Sequence, residues 1–128
     1  MKARNLKRFD YADTLELQIR ASRLPQPVRD LKAVPGRQFR IDLAWPELRL
    51  CVECDGESGC TKDGTFVPYG RHGSRKGMAT DAEKQNGLVL AGWRPLRFTG
   101  AQVKSGYALA CVADALRIFS LDNVNKQA

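Results

Sequence analysis

The sequence predicts a single α/β domain, with its elements in the order helix, strand, strand, helix, strand, helix. Apolar residues recur at helical spacing in segments near both ends, and short apolar runs of strand length lie between them. The 128 residues are enough for one hydrophobic core and too few for two. The 43% hydrophobic and 27% charged residues are ordinary for a globular protein.

The first predicted helix covers residues 10–22. The dipeptides Leu24-Pro25 and Gln26-Pro27 end it, because proline and the residue before it resist helical geometry. We expect a connector from there to Pro35-Gly36. The helix carries the i, i+4, i+8 apolar stripe that packs on a core, formed by Tyr11, Leu15 and Ile19.

Residues 37–55 predict a hairpin of two strands. Apolar, β-branched and aromatic residues flank a proline-containing break, which is typical of a strand pair joined by a turn. A turn centred between Glu47 and Leu48 sets Trp45 opposite Leu50.

The same register sets Asp42, which we expect to end its strand, opposite Glu53 inside the next. Directly opposed residues have Cβ atoms about 5 Å apart, and like charges there destabilise a sheet. A protein that keeps two carboxylates in such positions usually holds a cation between them. The hairpin therefore predicts a metal site.

Residues 56–77 form a predicted loop of about 20 residues, a length that is uncommon inside compact domains and tends to be functional. A helix over residues 78–90 follows, closed by Gly92 at a C-terminal cap position. Residues 93–98 predict a third strand, where Pro95 indicates a sheet edge.

The last predicted helix covers residues 103–119. We expect residues 1–9 to form a flexible basic arm and residues 120–128 a flexible tail, so that the whole chain is one domain. The helix carries a further apolar face, formed by Leu109, Val112, Leu116 and Phe119.

The net charge of +7 and the pI near 9.5 indicate a polyanionic partner, with nucleic acid ahead of a membrane surface. No apolar run approaches the roughly 20 residues that span a bilayer. Acidic residues at positions 10, 13 and 16 follow the basic start, so the N-terminus does not resemble a signal peptide. We expect a cytoplasmic protein.

The four cysteines do not predict a metal cluster. Cys51 and Cys54 are three apart on a predicted strand, so their side chains point to opposite faces. Cys60 and Cys111 add no second CxxC pair. We expect reduced, mostly buried thiols, while a contact between Cys54 and Cys60 and a structural zinc protein stay open as alternatives.

Five segments carry a resemblance. A strand with Asp leads to Trp-Pro, a strand of the form Val-Glu-x-Asp-Gly follows, then a basic loop, a helix with Asp and Lys, and a strand Gly-Trp-x-x-Leu-Arg-Phe. In chain order they are Ile41-Asp42-Leu43-Ala44-Trp45-Pro46, Val52-Glu53-Cys54-Asp55-Gly56, Gly70-Arg71-His72, Asp81 with Lys84, and Gly92-Trp93-Arg94-Pro95-Leu96-Arg97-Phe98. This ordered set resembles the PD-(D/E)XK nuclease superfamily, in the small branch of very-short-patch-repair endonucleases and their phage and bacterial relatives.

The resemblance implies a restriction-endonuclease-like core, in which helices flank a central mixed β-sheet, and a metal-dependent DNA endonuclease. A hard cation supplies an acidified water and charge neutralisation for phosphodiester hydrolysis. Mg²⁺ needs one or two carboxylates, and Mn²⁺ can replace it. Asp42, Glu53 and the backbone carbonyl of Cys54 suit that role, and Glu16 resembles the helical Glu that some members add.

One position departs from the superfamily pattern. The pattern has Lys two residues after the Glu, and this chain has Asp55 there. The lysine can have moved to the next helix as Lys84, which shares a helical face with Asp81. Alternatively Asp55 is itself a metal ligand, or the protein is a catalytically inactive DNA-binding module.

Basic residues of the long loop are the expected DNA contacts, and His72 is a candidate general base or phosphate contact. The sequence carries no base-reading module, so we expect recognition of DNA structure, as in a junction resolvase, a nickase or a repair enzyme. A resolvase is expected to act as a two-fold homodimer. The candidate backbone contacts are Lys62, Arg71, Arg75 and Lys76.

Overall fold

The computed structural model describes residues 10–55 and 75–127, with side chains at 10–55 and 80–125. The described chain is a mixed α/β structure in which helices pack on a four-stranded sheet. No helix of the described residues is both long and apolar enough to cross a membrane. In chain order the elements are α1 (Tyr11–Ala21), β1 (Val28–Leu31), β2 (Ile41–Trp45), a 3-10 turn (Pro46–Leu48), β3 (Leu50–Cys54), α2 (Arg75–Leu90), β4 (Arg94–Phe98), α3 (Gly100–Lys104) and α4 (Tyr107–Gln127).

The sheet has the order β1-β2-β3-β4. The strands β1, β2 and β3 are antiparallel neighbours, and β4 runs parallel to β3. A parallel neighbour needs a crossover connection, which the segment containing α2 provides. The predicted edge position of Pro95 is confirmed, because β4 ends the sheet and an edge strand tolerates a residue without an N–H.

The predicted hairpin register is confirmed. Trp45 lies opposite Leu50 and Leu43 lies opposite Val52, across a 3-10 turn that begins at Pro46. Arg49 leaves this turn in the left-handed region at φ +53°. Extending the register by one residue sets Asp42 opposite Glu53.

Helices cover both faces of the sheet. On one face the strands pack against α1, α3 and α4, whose side chains Leu15, Val103 and Val112 are fully buried. On the other face Ala44 and Cys51 pack against Leu88 of α2, together with the segment that joins β1 to β2. The carboxylate of Glu53 lies on this second face, since it is two residues from Cys51 on the same strand.

The connector predicted after α1 contains the strand β1, which the sequence analysis missed. Its four residues, Val28–Leu31, alternate between exposed and half-buried, and none is fully buried. A short edge strand with this pattern lacks the apolar run that marks a strand in sequence. Its edge position and antiparallel pairing with β2 widen the sheet from three predicted strands to four.

The C-terminal region also differs from its prediction. The single helix expected over residues 103–119 is two helices, because Gly106 at φ +87° interrupts them. The second helix continues to Gln127, through the segment expected to be a flexible tail. Asp122 fixes this end by pairing with Arg94, 2.6 Å apart. Similarly, α2 begins at Arg75 and not at residue 78.

The helix α2 ends in a Schellman motif, as the sequence predicted for Gly92. The Gly92 N–H donates to the Val89 carbonyl at 3.0 Å, and the Trp93 N–H donates to the Leu88 carbonyl at 2.9 Å. This geometry needs a positive φ, which is +88° at Gly92.

We predict opposite effects for two Gly→Ala variants of α2. Gly92→Ala should lower the free energy of unfolding by about 1 kcal/mol, because it forces a side chain into the left-handed region. Gly87→Ala should raise it by about 0.5–1 kcal/mol, since a Cβ there meets Phe39 and Val34 at ordinary contact distances of 3.7 and 3.8 Å. Urea unfolding measures both. A loss of stability in Gly87→Ala would contradict the described packing of α2.

Candidate active site

Asp42 is held at the end of the β2–β3 ladder. It is the second residue of β2, and not the end of its strand as the sequence analysis expected. Its Oδ2 accepts a hydrogen bond from the Cys54 backbone N–H at 2.8 Å. The N–H and the carbonyl of one strand residue face the same neighbouring strand. The Cys54 carbonyl therefore points toward β2, the strand that carries Asp42.

Glu53 meets a lysine from α2. The Lys84 Nζ lies 2.7 Å from Glu53 Oε1, and both side chains are largely buried, at 16% and 13% exposure. The ammonium group is the close partner of Oε1, which is itself a buried atom, and Lys84 lowers the pKa of Glu53 by hydrogen bonding and by its charge. A buried carboxylate needs such a partner, because an isolated buried charge is costly.

Lys84 is fixed by two more contacts. Its Nζ donates a hydrogen bond to the backbone carbonyl of Arg40 at 2.8 Å and lies 5.5 Å from the centre of the Phe39 ring. Arg40 and Phe39 directly precede β2, the strand that carries Asp42. The ammonium group is thereby held between the beginning of β2 and the end of β3.

The two carboxylates perturb each other electrostatically. The pKa of Glu53 is raised to about 7, mainly by burial and then by the charge of Asp42, while Lys84 opposes the rise. Burial also raises the pKa of Asp42, and the Cys54 N–H opposes that rise by stabilising the charged form. The protonation of one carboxyl group therefore depends on the charge of the other. Loss of the last proton leaves a negative charge on both Asp42 and Glu53.

This donor set fits a hard divalent cation. Among the described residues no three His, Cys, Asp or Glu side chains form a ready metal-binding group. Mg²⁺ does not require one, because it prefers oxygen ligands, keeps several waters and binds through one or two carboxylates. Asp42, Glu53 and the Cys54 carbonyl supply such oxygens.

Asp55 and Asp81 share a different partner. Arg97 lies opposite Glu53 in the β3–β4 pair, its Nε is 3.2 Å from Asp55 Oδ2, and its outer nitrogen is 3.9 Å from Asp81 Oδ1. An arginine between two carboxylates ties the end of β3 to α2. Its pairing depends on the parallel register of β4, which no local pattern reveals.

The first helix brings its carboxylates to Arg29 of β1. Glu16 Oε2 lies 3.6 Å from Arg29, and Glu16 Oε1 lies 3.8 Å from Arg20. Arg29 also pairs with Asp13 at 2.8 Å and donates from Nε to the Asp42 carbonyl at 3.1 Å. Glu16 is thus paired with Arg29 and Arg20, and Arg29 reaches only the backbone of Asp42, so no contact among the described residues joins Glu16 to the two site carboxylates.

Asp10 is the acidic residue of this helix end that the sequence analysis missed. It caps α1 by accepting a hydrogen bond from the Ala12 N–H at 2.9 Å, and its charge contributes to the raised pKa of Asp42. An Asp directly before an apolar helical stripe is a recognisable capping signal. What that signal does not reveal is the proximity of the helix end to Asp42.

Several predicted residues lie outside the described part of the chain. They include the candidate base His72 and the loop cations Lys62 and Arg71. Arg75 and Lys76 fall in the first turn of α2, where the backbone alone is described.

The cysteines follow their prediction where they are described. Cys51 is buried on the α2 side of the sheet, and Cys54 packs against the cluster on the other side, which confirms that they point to opposite faces. Burial raises the pKa of both thiols to about 12, so both are protonated and are poor metal ligands. Cys111 is also a free thiol.

Comparison of the chain with protein-family models, with curated proteins and with solved structures finds no match in any of the three. The function is therefore inferred from the residues of the chain and their geometry.

We predict that Glu53 titrates near pH 7 in the metal-free protein. Replacing its cationic neighbour in Lys84→Met should raise this pKa further, because the charged form loses its stabilising partner. Carbon-13 NMR of labelled glutamate carboxyl groups in EDTA measures both, and Arg117→Met is the control that removes a distant cation. A midpoint close to the ordinary glutamate value would contradict the described burial.

Proposed function

We propose that this protein is a metal-dependent DNA endonuclease of the PD-(D/E)XK type, belonging to the small branch that its motifs resemble. The observation that carries the proposal is the convergence of Asp42, Glu53 and Lys84, which come from β2, β3 and α2. Two partly buried carboxylates beside an ammonium group are the residue types that phosphodiester hydrolysis requires.

The carboxylates have the task of holding the cation. When bound, Mg²⁺ would supply an acidified water and neutralise charge on the phosphate. Asp42 is oriented by the Cys54 N–H, and Glu53 is held beside the Lys84 ammonium group at 2.7 Å. Deprotonation of the pair must accompany metal loading, so cation affinity should rise as the pH passes the pKa of Glu53, about 7.

Lys84 is the proposed substitute for the lysine that the superfamily pattern has at position 55. Its ammonium group is held by the Arg40 carbonyl at 2.8 Å and by Glu53 at 2.7 Å. In this position its ammonium group can donate a hydrogen bond to the attacking water or to the phosphate oxygens, where negative charge develops. The pairing of Asp55 with Arg97 favours a structural role for Asp55 over the alternative of a third metal ligand.

The sheet is compatible with the restriction-endonuclease-like core that belongs to this proposal. An antiparallel hairpin carries the carboxylates, and a parallel strand follows the helix that carries the lysine. A net charge of +7 suits a DNA partner, since binding of basic side chains to phosphates releases condensed counterions.

We predict that the purified protein cleaves DNA in the presence of Mg²⁺ or Mn²⁺ and that Asp42→Asn and Glu53→Gln abolish this activity. Loss of metal contacts removes several kcal/mol of transition-state stabilisation, or about 10³-fold or more in rate. The assay uses end-labelled linear duplex, single strand and four-way junction, each with Mg²⁺, Mn²⁺ or EDTA. Cleavage confined to the junction would indicate a resolvase.

The matched control is Asp114→Asn, which neutralises an exposed carboxylate on α4 and should cleave normally. Both site variants should still bind DNA, because the removed charges are negative. Near-normal cleavage by Glu53→Gln would refute the site assignment. DNA binding by the wild-type protein without cleavage under either metal would identify it as an inactive DNA-binding module.

We predict that Lys84→Met lowers the cleavage rate by about 10²–10⁴-fold while the affinity for DNA changes little. The measurement is single-turnover cleavage at saturating protein, with Arg117→Met as the control for loss of one positive charge. An unchanged rate in Lys84→Met would show that another group replaces the lysine of the superfamily pattern.

A further inference from the structure

We propose that the β1–β2 loop, residues 32–40, is a DNA backbone-binding surface beside the candidate active site. The inference rests on the proposed function and adds to it the surface along which the DNA backbone lies beyond the carboxylates. These residues were not among the DNA contacts expected from the sequence, which all lie in or next to the loop that follows β3.

The charge of the loop is entirely positive. It contains Lys32, Arg37 and Arg40, and no acidic residue occurs between Asp30 and Asp42. All three basic residues are exposed. A cluster of cations without interspersed carboxylates is the electrostatic footprint expected of a surface that binds a polyanion.

The apolar residues of the loop anchor it to the sheet and to α2. Ala33 and Val34 pack against the buried cluster that contains Leu88 and Trp93, and Phe39 and Val34 face Gly87 of α2. With its apolar side chains directed inward, the loop presents its basic side chains to solvent from a fixed backbone. Such a surface orders few groups on binding and therefore loses little entropy.

The hydrogen bonds of Lys32 and Arg40 do not neutralise their charges. The Lys32 Nζ donates to Gln38 Oε1 at 3.1 Å, and Arg40 donates to the Asp30 backbone carbonyl at 3.1 Å. Both acceptors are neutral oxygens, so these hydrogen bonds orient the side chains without neutralising them. Charge-assisted bonds to phosphate oxygens are stronger than bonds to neutral acceptors.

The loop leads directly into the candidate site. The carbonyl of Arg40 accepts the hydrogen bond of Lys84, whose ammonium group contacts Glu53. Residues 32–38 of the loop also surround an open depression of about 350 Å³. A DNA strand with one phosphate at the carboxylates can therefore place a neighbouring phosphate against the loop. This adjacency favours DNA over an acidic protein as the partner.

The test compares two double variants that each remove two positive charges. Lys32→Ala with Arg37→Ala removes them from the loop, and Arg20→Ala with Arg117→Ala removes them from the exposed surfaces of α1 and α4. Fluorescence anisotropy with a labelled duplex in EDTA, at a series of salt concentrations, gives affinities without cleavage. The loop variant should bind about 10-fold more weakly, with a salt slope reduced by about 2, because each lost phosphate contact lowers the slope by about 0.9.

The control variant should lose less than about 2-fold in affinity and keep the wild-type salt slope. Equal losses in both variants would overturn the inference, since net charge alone would then account for them. Wild-type affinity in the loop variant would also overturn it and would assign the surface to another partner, such as an acidic protein. Absence of any DNA binding by the wild-type protein has the same consequence.

A charge-preserving variant separates the role of charge from that of folding. Lys32→Arg with Arg37→Lys keeps both cations and should bind DNA as the wild-type protein does. Loss of binding in this variant would overturn a purely electrostatic surface. Because the assay needs no metal, weaker binding by the loop variant supports the surface even where Mg²⁺ and Mn²⁺ produce no cleavage, and that absence of cleavage counts against the nuclease proposal alone.

Discussion

Two partly buried carboxylates lie next to each other in a sheet, and the surrounding structure compensates their charge. The β2–β3 register sets Asp42 opposite Glu53, an arrangement that repels at neutral pH. The Cys54 N–H stabilises one charge and the Lys84 ammonium group stabilises the other, at 2.8 and 2.7 Å. Lys84 comes from a helix across the sheet face, so the local electrostatic balance depends on the tertiary fold.

The packing of α2 therefore determines the geometry of the site. Leu88 anchors the helix in the apolar cluster beneath it, and the Schellman motif at Gly92 turns the chain directly into β4. That turn sets the parallel register in which Arg97 lies opposite Glu53. Arg97 in turn pairs with Asp55 at the end of β3 and with Asp81 of α2. Displacement of α2 would separate Lys84 from Glu53 and Asp81 from Arg97, which is an electrostatic reason for a single docked position.

Local sequence patterns were sufficient to predict part of this structure. The hairpin register followed from a turn centred between Glu47 and Leu48, and the cap followed from the position of Gly92 just after a predicted helix. The short strand β1 escaped because its burial alternates without a buried residue, and the helix predicted over residues 103–119 is divided at Gly106. The pairing of Asp55 with Arg97 depends on a strand more than 40 residues away, which periodicity does not encode.

Basic residues lie both inside the site and around it. Inside, Lys84 is the positive partner of Glu53, at 2.7 Å. At the surface, the Arg40 side chain donates a hydrogen bond to the Asp30 carbonyl of β1, and the Arg40 carbonyl accepts a hydrogen bond from Lys84. The backbone of Arg40 therefore contacts the site, while its charged side chain is exposed to solvent. Under the proposed function, a DNA strand attracted to that surface would lie beside the two carboxylates, and a bound cation would join Lys84 in neutralising the negative charges there.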